Sequence, residues 1–405
     1  MNKLNAPGAK HIQPWKDLRV LDLSQGIAGP YCAQILATQG ADVIKVEPPS
    51  GDWGRFVGRT WADHSALSLH YNQGKRGLAV DAKSKDGQQL LRDLANHCDV
   101  IIQNFRPGVV QRLGLDYESL AIERPTLVYL SISGYGPDGP YADRPASDSV
   151  MQADSGLMFM NRSPDNQPQR VGMLIADAVT GLYAAQSVSA ALYHRLRNGE
   201  GCHVQTSLFE SCLALQGMNL LEHAMIGSQP VGAVSAPNGV FATSDGQITL
   251  LSLNDEHFKR IAKALDKPQW LEDDRFSSNA LRLANKHVLH NEIDDILKRN
   301  SSDHWLDRLK EHDVLHAAVN DYDALVSHPQ TQHLGLMHAQ AIEGVGRYQT
   351  VDFPAAIFGH TSMAAPRIGE HSLSVLSDFG FAADRIDRLL QDGVIAQFDQ
   401  QESHP

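Results

Sequence analysis

The chain is sparing with cysteine, and the few it has form no pattern. Cys32, Cys98, Cys202 and Cys212 lie far apart with no C-x-x-C among them, so they read as reduced, mostly buried thiols of a cytoplasmic protein rather than a disulfide frame. The 19 histidines include no H-E-x-x-H and no Cys/His knuckle, so no metal site is expected. No Lys/Arg-rich run occurs, and 35 basic against 47 acidic residues leave a formal charge of −12, which argues against nucleic acid as a partner. No apolar run approaches the ~20 residues needed to span a bilayer. The opening MNKLNAPGAKHIQPW also lacks the apolar core of a signal peptide, so no membrane partner is expected. The G-x-G-x-x-G fingerprint is missing too, which argues against a nicotinamide- or flavin-dependent oxidoreductase.

What is present is the composition of a soluble globular protein, 42% hydrophobic and 20% charged over 405 residues, long enough for two or three domains. Short β-branched runs recur from Leu18: LRVLDL (18–23), ADVIKVE (41–47), RGLAVD (76–81), DVIIQNF (99–105) and LVYLSIS (127–133). Near-continuous apolarity marks strands buried on both faces. Helical segments at Pro30–Gln39, Lys85–Cys98 and Tyr117–Glu123 alternate with them, predicting βαβ units and a Rossmann-like open parallel sheet. Asn198–Val204 reads as a polar turn into an apolar run through Leu221, a buried helix or linker. The loop-like Gly227–Phe241 marks a domain boundary. TSDGQITLLSL (243–253) then signals a hairpin with Asp245-Gly246 at its turn. Helices over Asp255–Leu265, Ala284–Arg299 and Ser302–His312, the last capped from the Ser301–Ser302–Asp303 cluster, complete a smaller α+β domain.

Ligands of such sheets bind at the carboxyl ends of the strands. There the chain places SQGIAGPYC (24–32), VEPPSGD (46–52), NFRPG (104–108) with Arg112 a turn further on, and a Gly/Pro-rich connection from Ser133 to Asp148. Arg106, Arg112, Lys83 and the flat Phe105 beside glycines suit a phosphorylated nucleotide, though solvated surface cations around ordinary turns look the same in a sequence. VGMLIADAVTGLYAAQSVSAALYH (171–194) sets Asp177 at the start of a helix rich in small residues. A carboxylate there is either an N-cap or a reactive group.

Nine stretches in register, from about Leu18 to Phe381, carry a resemblance: LDLSQGIAGP, GADVIKVEPPSGD, NQGKRGLAVDAKS, IIQNFRPGVVQRLGLDYE, ISGYGPDGP, ADAVTGLYAA, SLFESCLAL, DGQI and PRIGEHS. The chain resembles the class III CoA-transferases (the CaiB/BaiF, formyl-CoA transferase-like family). The resemblance implies a large Rossmann-like domain over 1–226, a small α+β domain over 227–330, and a segment, 331–405, returning to the large domain. It also implies a homodimer of interlocked rings. It places the catalytic aspartate at Asp177 and an acidic residue of the substrate site at Asp148. The CoA site falls at Ile27, Ala28, Val80, Lys83, Asn104, Phe105, Arg106 and Arg112. The implied reaction moves CoA from an acyl-CoA to a free carboxylic acid through aspartyl anhydride and aspartyl-CoA thioester intermediates, with CoA thioester as substrate and no tightly bound cofactor.

Two departures bear on the substrate. The glycine run that closes over the aspartate in formyl-CoA transferases corresponds to Gln229–Gly239, where only Gly232 and Gly239 occur, and Ile27 stands where some members have Gln. The α-methylacyl-CoA racemases share the fold but need Gly-His-Asp where this chain has Ala146-Ser147-Asp148, and a serine cannot replace the histidine base. His64, His70 and His194 are the other histidines that folding could bring into range. A non-catalytic CoA-binding protein, with Asp177 only capping its helix, is the remaining alternative.

Overall fold

The computed structural model describes residues 11–163, 165–227, 234–359 and 363–398. The chain forms two units, Met1–Leu221 with Gln332–Pro405, and Glu222–Thr331.

The first unit is built on seven strands: β1 (Arg19–Asp22), β2 (Asp42–Glu47), β3 (Arg76–Val80), β4 (Val100–Gln103), β5 (Val128–Ser133), β6 (Cys202–Ser207) and β7 (Ile395–Ala396), in the spatial order β7-β3-β2-β1-β4-β5-β6. All neighbours pair in parallel except β7, which runs antiparallel along β3. Side chains alternate between faces, and both faces are covered, which is why β1 to β5 are largely apolar. Val20, Val43, Val100, Ile102, Val128 and Leu130 meet helices α1 (Ala28–Thr38) and α4 (Ile175–Asn198). Leu21, Ile44, Leu78, Ile101 and Tyr129 meet α2 (Lys85–Ala95) and the helices Ser372–Asp378 and Ala383–Gln391. The order in which strands are added reverses between β1 and β4, so a crevice opens at their carboxyl ends.

The sequence expectation differs from the structure after Asn198, and the structure fills it in at two other places. The run after Asn198 is neither one buried helix nor a linker. It is β6, paired Val128↔Cys202 through Ser133↔Ser207, followed by helices Leu208–Leu215 and Gly217–Ile226. As an edge strand β6 is half-exposed and alternates polar residues, so it carries no continuous apolar signal. The connection after Ser133 ends in a helix, α3 (Asp148–Asp154). The expected helix Ala284–Arg299 is present as Lys286–Leu297, and a separate helix, Asn279–Ala284, precedes it across Asn285, whose side chain bonds back to Leu281 O (2.9 Å) and Arg275 O (3.3 Å).

The second unit carries the hairpin Asn238–Ala242/Gln247–Leu251, extended by Leu315–Ala318 into a three-stranded antiparallel sheet. Ser301 caps the helix Ser302–Glu311 through His304 N. Phe241, Ile248, Phe258, Trp270, Phe276 and Trp305 fill its core. No helix among the described residues is long and apolar enough to cross a membrane.

Candidate active site

The loop after β1 is fixed before any ligand arrives. Gly26 has φ +76°, and a β-carbon there would sit 2.1 Å from the Trp53 ring, so only glycine fits. Its N–H donates to both Asp52 carboxylate oxygens (3.2 and 3.1 Å). Lys45 Nζ, fully buried, reaches Asp52 at 2.8 Å and also donates to Ser24 O. Burial alone would raise the Asp52 carboxyl, but the Lys45 ammonium overrides it and holds the group below its ordinary range. The same network continues on either side. Lys75 donates to Asp22 (2.8 Å), Asn72 (2.9 Å) and Pro30 O (2.9 Å). Arg55 grips Glu47 (2.6 and 2.7 Å) and Pro366 O (2.9 Å). Across the crevice, Asn104 Nδ2 donates to Gln25 O (2.7 Å) while its Oδ1 accepts from Gln25 N (2.8 Å), stapling the β1 loop to the β4 loop.

Asp177 is the third residue of α4 and its carboxylate has no hydrogen bond or ion pair within the described residues. It does not cap the helix, since Leu174 occupies the cap position without a side-chain bond. The cap comes from another helix. Asp148 Oδ2 accepts from Ala176 N (2.8 Å) and Asp177 N (3.4 Å), and Asp148 Oδ1 accepts from Gln152 Nε2 (2.7 Å). The N–H groups that a helix start usually offers an oxyanion are therefore already in use. Gly181 lets α4 lie directly on α1, because a β-carbon there would come within 2.9 Å of Tyr31 and 3.0 Å of Ala28 O.

The result is a cavity of about 750 Å³ at the crevice between β1 and β4, with Asp177 and Asp148 in its wall. Burial, and then the negative charge of Asp148, push the Asp177 carboxyl up to about 7. The same two carboxylates, after burial and Tyr31, help push Tyr71 up to about 12. Comparison with known proteins decides what this carboxylate pair serves. The family model described as CoA-transferase family III matches residues 15–372.

The chain belongs to CoA-transferase family III.

It is 36% identical over 388 residues to the succinate–glutarate CoA-transferase of Agrobacterium fabrum, covering 90% of this chain and 95% of that one. It is 31% identical over 411 residues to the human succinyl-CoA:glutarate CoA-transferase, covering 97% and 92%. A crystal structure of a CaiB/BaiF family protein from Brucella suis superposes with a TM-score of 0.83 at 30% identity, covering 91% of this chain and all of that one (100%).

In this family III CoA-transferase the sequence-predicted residues divide into two groups. Asp177, Asp148, Ile27, Ala28, Asn104, Phe105 and Arg106 line the one cavity. Val80, Lys83 and Arg112 are not among its lining residues. Val80 ends β3 with its side chain in the core, opposite Ile395. Lys83, in the turn after β3, and Arg112, on the short helix Val109–Leu113 after β4, are both exposed. Of the stretch Gln229–Gly239 aligned with the glycine run, residues 229–233 lie outside the described residues.

No histidine lines the cavity among the described residues. His64 is fully buried against Ser68 (3.1 Å), its imidazole pulled down to about 4 by burial and then by Arg55. His70 is likewise lowered by burial, and His194 is exposed beside Asn198. Sequence reasoning missed Trp53 and Arg144 in the cavity wall and the whole buried ion network. Lys45 and Asp52, seven apart around a Pro/Gly loop, were its one local sign.

Proposed function

We propose that Asp177 is the nucleophile of a CoA transfer from an acyl-CoA donor to a carboxylic acid acceptor. The observation that carries this reading is a half-buried carboxylate, unpaired, in the wall of a cavity at the sheet's ligand-binding edge. The Asp177 carboxylate attacks the thioester carbonyl, forming a mixed anhydride and releasing CoA thiolate. The thiolate attacks the aspartyl carbonyl, giving an aspartyl-CoA thioester and the free donor acid. The acceptor carboxylate then attacks that thioester, forming a second anhydride and releasing the thiolate again. Thiolate attack on the acceptor's acyl carbon yields the new acyl-CoA and returns Asp177.

With the start of α4 occupied by Asp148, the start of α1 is the better oxyanion donor. The Ala28 and Gly29 N–H groups meet no acceptor within the described residues. CoA lies over Ile27, Ala28 and Phe105, with Arg106, Arg112 and Lys83 at its phosphates and the end of β3 at Val80 beneath it. Its remote binding energy holds the thioester against the nucleophile. Asn104 acts by fixing the loop, and Asp148 by capping α4 and by its charge. No tightly bound cofactor or metal is needed for these steps.

The enzyme works in the cytoplasm as an interlocked homodimer. Supporting the dimer, the outer face of α4 leaves Leu182, Tyr193 and Leu196 exposed at 45%, 62% and 76%. A stable monomer by light scattering would rule the dimer out.

Intact-mass spectrometry tests the chemistry. Protein incubated with acetyl-CoA or succinyl-CoA and quenched with hydroxylamine is expected to carry a modification at Asp177 that Asp177→Asn lacks. CoA binding without any adduct, whatever the donor, would refute covalent transfer.

A further inference from the structure

The proposed reaction leaves two charged side chains of the cavity wall, Asp143 and Arg144, without a task. Arg144 lines the same cavity as Asp177, yet its guanidinium makes no ion pair within the described residues, not even with Asp143 next to it. It is nonetheless held. A turn closes from Arg144 N to Tyr141 O (2.9 Å), and the guanidinium stacks 3.6 Å over the Tyr141 ring. Tyr141 in turn stands edge-on to Tyr135 (5.4 Å, 89°), which packs on Phe209 (5.7 Å) and donates to Asp154 (2.8 Å). This ladder anchors the cation to the end of β5. Stacking covers the face of a guanidinium and leaves its N–H edge free for a planar anion.

The anion's nature follows from where the other charges lie. Three carboxylates, Asp143, Asp148 and Asp177, line the cavity and repel any further negative charge. A reacting carboxylate must still approach Asp177, so an acid with a second carboxylate needs a cation elsewhere in the cavity to receive it. Arg106 stands on the β4 loop, where the proposed reaction uses it for CoA; Arg144 stands on the separate loop after β5.

We infer that Arg144 recognises the distal carboxylate of a dicarboxylic acid, making short diacids the acids this enzyme exchanges. This inference rests on the reaction proposed above. Arg144 is a specificity residue here and takes no part in the bond-making steps.

The test compares acceptors of equal length, glutarate against valerate and succinate against butyrate, with acetyl-CoA as donor, in the wild type, Arg144→Met and Arg144→Lys. In Arg144→Met, kcat/KM for the diacids is expected to fall roughly 10- to 150-fold, the loss of a charge-assisted contact. The value for the monoacids and the KM for acetyl-CoA should stay within about 2-fold of wild type, with Arg144→Lys between the two. Equal losses for both acid classes with a raised KM for acetyl-CoA would assign Arg144 to CoA and overturn the inference, as would no change with either acid. A wild type that accepts valerate and refuses glutarate overturns it too. If the wild type uses diacids only, loss of diacid transfer with unaltered loading of Asp177 by acetyl-CoA supports it, and loss of both overturns it. Failure of the underlying reaction looks different: wild-type protein would transfer CoA to no acid and form no adduct.

Discussion

Two buried clusters of carboxylates lie close together in the first unit, and they are treated in opposite ways. Under the β1 loop, Asp22, Glu47 and Asp52 each face a cation, Lys75, Arg55 and Lys45 respectively, at 2.6 to 2.8 Å. In the cavity wall, Asp148 and Asp177 face each other with no cation between them. The first cluster has its charge cancelled and its hydrogen bonds filled, so it serves as scaffold. The second keeps one carboxyl, Asp177, at about 7, poised between its acid and its nucleophilic form. Compensation makes a carboxylate structural here, and withholding it makes one reactive.

The strongest way to break the contrast is to remove the reactive member. Asp177→Asn should lower CoA transfer by at least roughly 10⁴-fold. It should also raise thermal stability at pH 8. A carboxyl whose folded pKa lies above its unfolded one costs stability as pH climbs past the unfolded value, with the full cost present above the folded one. The relief is on the order of 2 kcal/mol after allowing for solvent in the cavity, to be read as a higher melting temperature at pH 8 than wild type and no gain at pH 4.

Breaking the compensated cluster should act on the fold instead. Lys45→Met strands Asp52 without a partner and should cost about 3–5 kcal/mol in denaturant unfolding. Lys45→Met with Asp52→Asn should recover part of that loss, since no buried charge is then left alone. A double variant as unstable as the single would show that the pair's worth is not electrostatic.

The subtlest change sharpens the comparison without dismantling it. Wild-type kcat/KM should rise with pH through about 7 as Asp177 ionises. Asp148→Asn retains an oxygen to cap α4 but loses its charge, so the rise should move to lower pH. The move should be smaller than the whole upward displacement, because burial is the larger cause. An unmoved limb with normal melting would mean that Asp148 acts on Asp177 only through geometry.

Most of the parallel sheet was legible from sequence because strands buried on both faces leave a continuous apolar trace, and β1 to β5 all do. β6 left none, since an edge strand with half its side chains in water reads like a turn. The helix of Asp177 was legible through its small residues, and Gly181 shows why they are small. Its cap was not legible, because Asp148 lies 28 residues before Ala176 and no spacing rule links an acid on one helix to the start of another. Long-range pairs such as Asp22 with Lys75, 53 residues apart, are hidden for the same reason. The assignment of Asp177 as an acid with chemistry to do came from the family resemblance. The structure adds that the acid does not cap its own helix, which removes the simplest rival account.

The ladder from Phe209 through Tyr135 and Tyr141 to Arg144 has one more consequence. It fastens the Tyr141–Arg144 turn to β5 and, through the Tyr135–Asp154 bond, to α3, the helix whose first residue, Asp148, caps the start of α4. The turn of Arg144 and the seat of Asp177 thus share one support, α3. A lineage, or an engineer, that exchanges the turn for one with a different reach or charge must therefore leave α3 in place to inherit the nucleophile intact, which confines new acid preferences to the residues ahead of Asp148.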